Sequence, residues 1–222
     1  MLKRELEPEV MDTGEEAAEY QAMDHSEVNQ RFAEDLRAFI GWTSVDGQFL
    51  DVGTGTALIP IACCQILPDL KFIAVDLSQP MLDLAIKNIA EVGLSDRIRV
   101  QLLDGKSLPF PAAHFSGVTS NSLIHHIPHP EEAFREQWRV LQQGGVWFHR
   151  DLLRPTDEPA LEELVERYAG SSPHKQRQLL ADSLRAALSL EELRAILCEL
   201  GIPADWLRQT SDRHWTIAGR KP

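Results

Sequence analysis

Apolar residues recur at helical spacing in the stretch that begins at Asp24. Val28, Phe32, Leu36 and Phe39 fall on one side of a helix, with Ser26 or Asp24 as its N-cap. Upstream, residues 1–24 are acidic and weakly patterned, and Pro8 and Gly14 interrupt any long helix. From residue 48 onward, short continuous apolar runs alternate with helical periods. Residues 48–52 read as a buried strand, 57–67 as a helix closed by Pro68, and 71–76 as a second strand. Ser78 opens a helix over 80–90 with Pro80 in its first turn, and 98–103 is a third strand. A fourth strand at 115–120 precedes a helix at 130–141 that ends at Gly144-Gly145, and 146–152 is a fifth strand. After Pro155 come helices over about 158–169 and 173–187, then one at 189–200. The last has a capping box, Ser189 with Glu192, and stops at Gly201. Strand-like pieces at 206–209 and 214–219 close the chain, and Trp138, Trp147, Trp206 and Trp215 read as core residues.

Strands alternating with helices imply parallel βαβ units in a doubly wound α/β sheet. There are no internal repeats and no low-complexity linker, so residues 1–222 read as a single domain. Its parts are an N-terminal lid and helix (1–40), a ligand-binding core (41–155), a helical insertion (156–188), and a C-terminal helix with the last strands (189–222).

Composition narrows the partners. The formal net charge is −12, and the basic residues are dispersed, with Arg97 and Arg99 the nearest approach to a pair. Nucleic-acid binding draws on clustered Lys and Arg, so a small-molecule ligand is expected instead. No apolar run is long enough to span a bilayer and the N-terminus lacks the apolar core of a signal peptide, so a cytoplasmic protein is expected. Cys63 and Cys64 are adjacent and Cys198 is remote, which suggests buried thiols rather than a disulfide framework. The cysteines have no His/Cys spacing suited to a metal, and none is expected.

The candidate chemistry centres on the turn after the first strand, Leu50-Asp-Val-Gly-Thr-Gly-Thr-Ala57. A nicotinamide-type fingerprint would need a third glycine where Leu58 stands, and a phosphate-binding P-loop would need a lysine that is absent. Asp51, two places before Gly53, would repel a pyrophosphate and attract an ammonium or sulfonium. Asp76 closes the second strand, where a carboxylate can accept from both ribose hydroxyls. Asp104 closes the third, where it can accept from an exocyclic amine. Three strand-end carboxylates around one glycine turn suggest a cationic nucleoside.

That pattern resembles the class I S-adenosylmethionine-dependent methyltransferases. The glycine turn is similar to their first motif, with Ala57 in place of the last glycine. Val75-Asp76-Leu77-Ser78, with Met81, resembles the second, and Leu103-Asp104-Gly105 with Leu108-Pro-Phe110 the third. Ser120-Asn121-Ser122-Leu-Ile-His125-His126 and Arg139-Val-Leu-Gln-Gln-Gly-Gly145 resemble the ubiquinone/menaquinone-type subgroup, with Gln143 where that subgroup has proline. The resemblance implies a Rossmann-like seven-stranded sheet with its last strand antiparallel and helices on both faces. It also implies methyl transfer from S-adenosyl-L-methionine to a small-molecule acceptor at O, C or N, leaving S-adenosyl-L-homocysteine. Asp51, Gly53, Thr54, Gly55, Asp76, Leu77, Met81, Asp104, Gly105 and Asn121 would bind the cofactor. The alternative is a non-catalytic nucleoside-binding or scaffold protein with the same fold. Such a protein tends to lose the three acids, which this chain keeps.

On the acceptor side, His125 or His126 could deprotonate a phenol, enol or amine, since a neutral imidazole suits that task near pH 7. Methyl transfer from a sulfonium can also proceed by proximity and alignment alone. His149-Arg150-Asp151 border the expected acceptor pocket. There Arg150 is a candidate for holding an acidic substrate, against a structural pairing with Asp151 or Glu158. Tyr20, Met23 and His25 are candidate lid contacts to the ligands. The inserted helices would shape the acceptor pocket or a homodimer contact. The loop after the fourth strand, Asn121-Ser-Leu-Ile124, lacks the Pro-Pro motif of amide- or amino-nitrogen methylation.

Overall fold

In a computed structural model of the protein, residues 2–8, 13–21, 26–41 and 47–222 are described. The helices are α1 (Gly14–Gln21), α2 (Ser26–Ile40), α3 (Leu58–Ile66), α4 (Gln79–Glu91), α5 (Pro130–Val140), α6 (Glu158–Ala169), α7 (His174–Ala186) and α8 (Leu190–Glu199). The strands are β1 (Gln48–Val52), β2 (Lys71–Asp76), β3 (Ile98–Leu102), β4 (Phe115–Asn121), β5 (Leu141–Leu152), β6 (Leu207–Gln209) and β7 (His214–Arg220). They form a seven-stranded sheet in the order β3-β2-β1-β4-β5-β7-β6. β1 runs parallel to β2 and β4, and β2 to β3, whereas β6 and β7 are antiparallel. Strand order reverses between β1 and β4, which places a crevice at the carboxyl end of β1. This is the Rossmann-like architecture that the sequence led us to expect.

Successive strand residues point to opposite faces of a sheet. Phe49, Leu50, Asp51 and Val52 of β1 are all buried, as are Phe72 through Val75 of β2. Both faces are therefore covered, which is why these strands read as continuous apolar runs. Phe32 and Leu36 of α2, Ile59 and Ile61 of α3, and Ala85 and Ile89 of α4 pack with Phe49 and Phe72 in one apolar cluster. The Phe49 ring occupies the space above Gly117, its register partner on β4. A Cβ there would lie 2.3 Å from Phe49 Cζ.

The chain divides into two compact units. One comprises Met1–Glu9, Ser122–Glu131 and Arg150–Ile217; the other comprises Val10–Asn121, Glu132–His149 and Ala218–Pro222. The first has its own apolar cluster, in which Leu161, Leu164 and Val165 of α6 meet Ala181 and Leu184 of α7. The second contains β1 to β4 and the glycine turn.

Some elements depart from the sequence pattern. α1 forms within the weakly patterned N-terminal stretch because Gly14 stands at its first position, where it interrupts nothing. β5 starts at Leu141, directly after α5, so Gly144 and Gly145 lie inside the strand and not in a preceding turn. The reason is a late partner. Gly144 N donates to Lys221 O at 2.7 Å, and Lys221 N donates to Gly145 O at 3.0 Å. Trp147 and Trp215 are fully buried, while Trp138 and Trp206 are only partly so. Among the described residues, no helix is long and apolar enough to cross a membrane.

Candidate functional site

β1 delivers the chain into the glycine turn. Gly53 and Gly55 adopt φ of 71° and 54°, in the left-handed region that glycine enters without a steric cost. Gly53 N and Thr54 N donate to Val75 O at 2.9 and 3.0 Å. Gly55 N donates to Asp76 Oδ2 at 2.7 Å, and Ser78 N to Asp76 Oδ1 at 2.9 Å. The carboxylate at the end of β2 is thus pinned to the turn by the Gly55 amide and to its own loop by the Ser78 amide. Each oxygen retains acceptor capacity for a hydroxyl. Burial pushes the Asp76 carboxyl up, against the pull of those amides.

Asp51 is 2% exposed and accepts a hydrogen bond from Thr119 Oγ1 at 2.7 Å. Burial pushes its carboxyl up to about 7 despite that bond. A cation beside it would favour the charged form again. Asp51, Gly53, Thr54, Thr56 and Asn121 line a small cleft, joined by Asn29 of α2 and by Leu58 and Ile59. Asn88 Nδ2 donates to Thr56 O at 2.9 Å, and the same side chain pairs amide to amide with Gln21 of α1. α1 is thereby fastened beside the turn.

Asp104 is engaged by its own loop. Its Oδ1 accepts from Lys106 N at 2.9 Å and lies 3.1 Å from Lys106 Nζ. Gly105 sits against Val52, where a Cβ would lie 2.6 Å from Val52 Cγ1. Leu77 is 43% exposed. Met81 is buried in the first turn of α4, its N–H donating to Ser78 Oγ at 3.3 Å.

The histidine pair is built in the other unit, on a 3₁₀ turn at Ile124–His126. Asp151, near the end of β5, accepts from Ile124 N at 2.5 Å, His125 N at 3.2 Å and Leu152 N at 2.6 Å. Its Oδ1 also lies 2.5 Å from His125 Nδ1. Burial works against the charged imidazole of His125, but the Asp151 carboxylate outweighs it and holds the ring above its ordinary pKa. His126 is pulled down to about 3 by burial and by its neighbour His125. Glu7 reaches both rings. Its Oε1 lies 3.4 Å from His125 Nε2 and 3.3 Å from His126 Nδ1, and burial pushes its carboxyl up. Arg4 straps this N-terminal segment down by donating to Ala186 O, Pro128 O, His125 O and Ile127 O.

The sequence-derived residues therefore fall into two groups. Asp51, Gly53, Thr54, Gly55, Asp76 and Asn121 come together around the glycine turn. His125 and His126 come together with Glu7 and Asp151; the His125 side chain is buried and that of His126 is 15% exposed. Arg150 Nε donates to Thr216 Oγ1 at 3.0 Å, while Asp151 serves His125 and Glu158 accepts from Arg185. His149 is a core residue, fully buried between Phe134 and Trp147. Met23 and His25 lie outside the described residues, as does the side chain of Tyr20 on α1. Glu7, Asn29, Asn88 and Thr119 were missed. Nothing local distinguishes Glu7 from the other acids of the N-terminal stretch, and the amides and hydroxyl acquire partners only through the fold.

Known proteins resemble this chain in sequence and in fold. Residues 50–148 match the family described as a methyltransferase domain. The chain is 29% identical over 166 residues to the demethylmenaquinone methyltransferase of Roseiflexus castenholzii, covering 70% of this chain and 67% of the relative. It is 26% identical over 163 residues to a ubiquinone/menaquinone biosynthesis C-methyltransferase of Pseudomonas entomophila, covering 68% of this chain and 63% of the relative. The matches thus span about two thirds of the relatives' own length. Among solved structures, a proposed S-adenosyl-L-methionine-dependent methyltransferase of Methanococcus maripaludis superposes with a TM-score of 0.76 at 21% identity. That likeness covers 98% of this chain and 97% of the other, and it establishes the shared fold.

Proposed function

Because the chain carries a class I S-adenosylmethionine-dependent methyltransferase domain, we propose that it methylates a small hydroxylated aromatic acceptor of the quinol type. The carrying observation is the pinned carboxylate of Asp76 beside a glycine turn whose floor is the buried Asp51. In this reading Asp76 accepts from the ribose hydroxyls and Asp104 from the adenine amine. Gly53 and Gly55 let the backbone approach the methionine moiety, and Asp51 with Asn121 receives its ammonium. The residues present fit the cofactor: a small cleft, open acceptor positions, and negative charge aimed where positive charge would lie. When bound, S-adenosylmethionine supplies a methyl group already activated on a sulfonium, and the chain's task is to hold the acceptor in line with it. The relatives are named for menaquinone and ubiquinone, whose reduced forms are quinols, and this supports the quinol class. The cytoplasm is the compartment we propose, since free cysteines such as the exposed Cys198 persist in reducing surroundings. The dispersed basic residues and the net charge of −12 argue against a nucleic-acid acceptor.

Titration calorimetry with S-adenosylmethionine and S-adenosylhomocysteine tests the cofactor site. Both should bind the wild-type protein, and Asp76→Ala should weaken both by at least about tenfold, the loss of one charge-assisted hydrogen bond. Circular dichroism checks that the variant stays folded. Unchanged affinity in Asp76→Ala would remove the ribose role. Transfer of a radiolabelled methyl group to a panel of hydroquinones then separates a catalyst from a non-catalytic nucleoside-binding protein.

A further inference from the structure

Three side-chain atoms in the first unit converge without bonding to one another. They are Glu7 Oε1, His125 Nε2 and His126 Nδ1, and all lie within 4.8 Å of each other. The carboxylate oxygen is 3.4 Å from one ring nitrogen and 3.3 Å from the other. Both distances exceed those of a charge-assisted hydrogen bond, about 2.7–2.9 Å. They match the edge of a tetrahedron around a metal with ligand bonds near 2.1 Å, roughly 3.4 Å. Among the described residues, buried Glu7 Oε1 and His126 Nδ1 have no hydrogen-bond partner, an expensive condition unless something occupies the space between them.

We propose that Glu7, His125 and His126 bind a divalent transition-metal ion, zinc or a cation of similar preference. Two imidazoles and one carboxylate are the donor set such ions take, and three protein ligands leave a fourth position for water or a ligand oxygen. The supporting groups are already in place. Asp151 Oδ1 sits 2.5 Å from His125 Nδ1, which directs the Nε2 lone pair toward Glu7. Three backbone amides fix Asp151 in turn, those of Ile124, His125 and Leu152. His126 Nδ1 points to the same centre, 3.3 Å from Glu7 Oε1. Glu7 Oε2 accepts from Ser183 Oγ at 3.3 Å, leaving Oε1 for the ion. The ion would join the N-terminal segment to the loop after β4. This proposal stands apart from the cofactor reading, whose residues lie in the other unit.

The test uses the full chain, stripped with chelator and titrated with Co²⁺ and Zn²⁺. The wild-type protein should take up about one equivalent, give the intense visible absorption of tetrahedral Co²⁺, and melt at higher temperature with Zn²⁺. Glu7→Gln and His126→Gln should abolish the Co²⁺ spectrum. Asp151→Asn should weaken the metal by about 10- to 100-fold. Circular dichroism of the same samples reports whether each variant stays folded. A wild-type protein that gives no Co²⁺ spectrum overturns the proposal, as does a spectrum that survives both ligand substitutions. Either result would leave the cluster as an ion-paired network of His125 with Asp151 and Glu7.

Discussion

Asp51 shows how one buried carboxylate couples binding to pH. Its folded pKa of about 7 lies above the ordinary value of 3.8, because burial disfavours the charge. The unfolded chain therefore gives up this proton first as pH rises. The stability that Asp51 confers is complete below about pH 4 and falls as pH climbs toward 7, by on the order of 4 kcal/mol from the size of the shift. Urea melts at pH 5 and pH 7.5 should show this fall in the free protein, and a smaller one in Asp51→Asn. A cationic ligand favours the ionised carboxylate, so affinity for S-adenosylmethionine should rise with pH and level off above about 7. Calorimetry in buffers of different ionisation enthalpy would detect the proton released on binding. Asp51 was legible as an acid beside the glycine turn because it lies two places before Gly53, and it lines the cleft there. Its elevated pKa was not, since that depends on β2 and β4 closing over it.

At the scale of elements, Arg97 gives the clearest case of a residue whose role changes once the chain is folded. The sequence offered it with Arg99 as the nearest approach to a basic pair. In the structure its guanidinium donates to Cys64 O, Leu67 O and Leu70 O at 2.6–3.0 Å, closing the C-terminal end of α3 and the link to β2. Arg97→Ala should cost about 2–3 kcal/mol by denaturant melts, because it strands carbonyls that a charged donor had satisfied. Arg97→Lys should recover less than half of that, since an ammonium cannot reproduce the planar fork. The capping box behaves differently, being wholly local. Ser189 Oγ accepts from Glu192 N at 3.2 Å and Glu192 Oε2 from Ser189 N at 2.8 Å, as the sequence spacing indicated. Ser189→Ala should cost about 1 kcal/mol. What the sequence could not indicate is that Arg154, 38 positions away, holds the same Glu192 by two hydrogen bonds.

For the whole molecule, we propose that residues 1–222 unfold as a single domain, although the chain divides into two compact units. β5 and β7 each contribute residues to both units, so neither unit can melt without breaking strands of the other. Calorimetric and van't Hoff enthalpies should therefore agree; two separated transitions would show that the units fold independently. Saturating S-adenosylhomocysteine at about 100 times its Kd should add roughly 2.7 kcal/mol, a rise of several degrees in Tm. The sequence by itself determined the alternation of strands and helices, the crevice beside β1, and the glycine turn with its acids. These depend on side-chain periodicity and on motifs contained in a few adjacent residues. Only the tertiary structure decided that β5 begins at Leu141, that Arg97 is a helix clamp, and that Glu7 meets the histidines. Each of these depends on a partner far along the chain, and local spacing carries no record of which distant residues the sheet and its helices bring together.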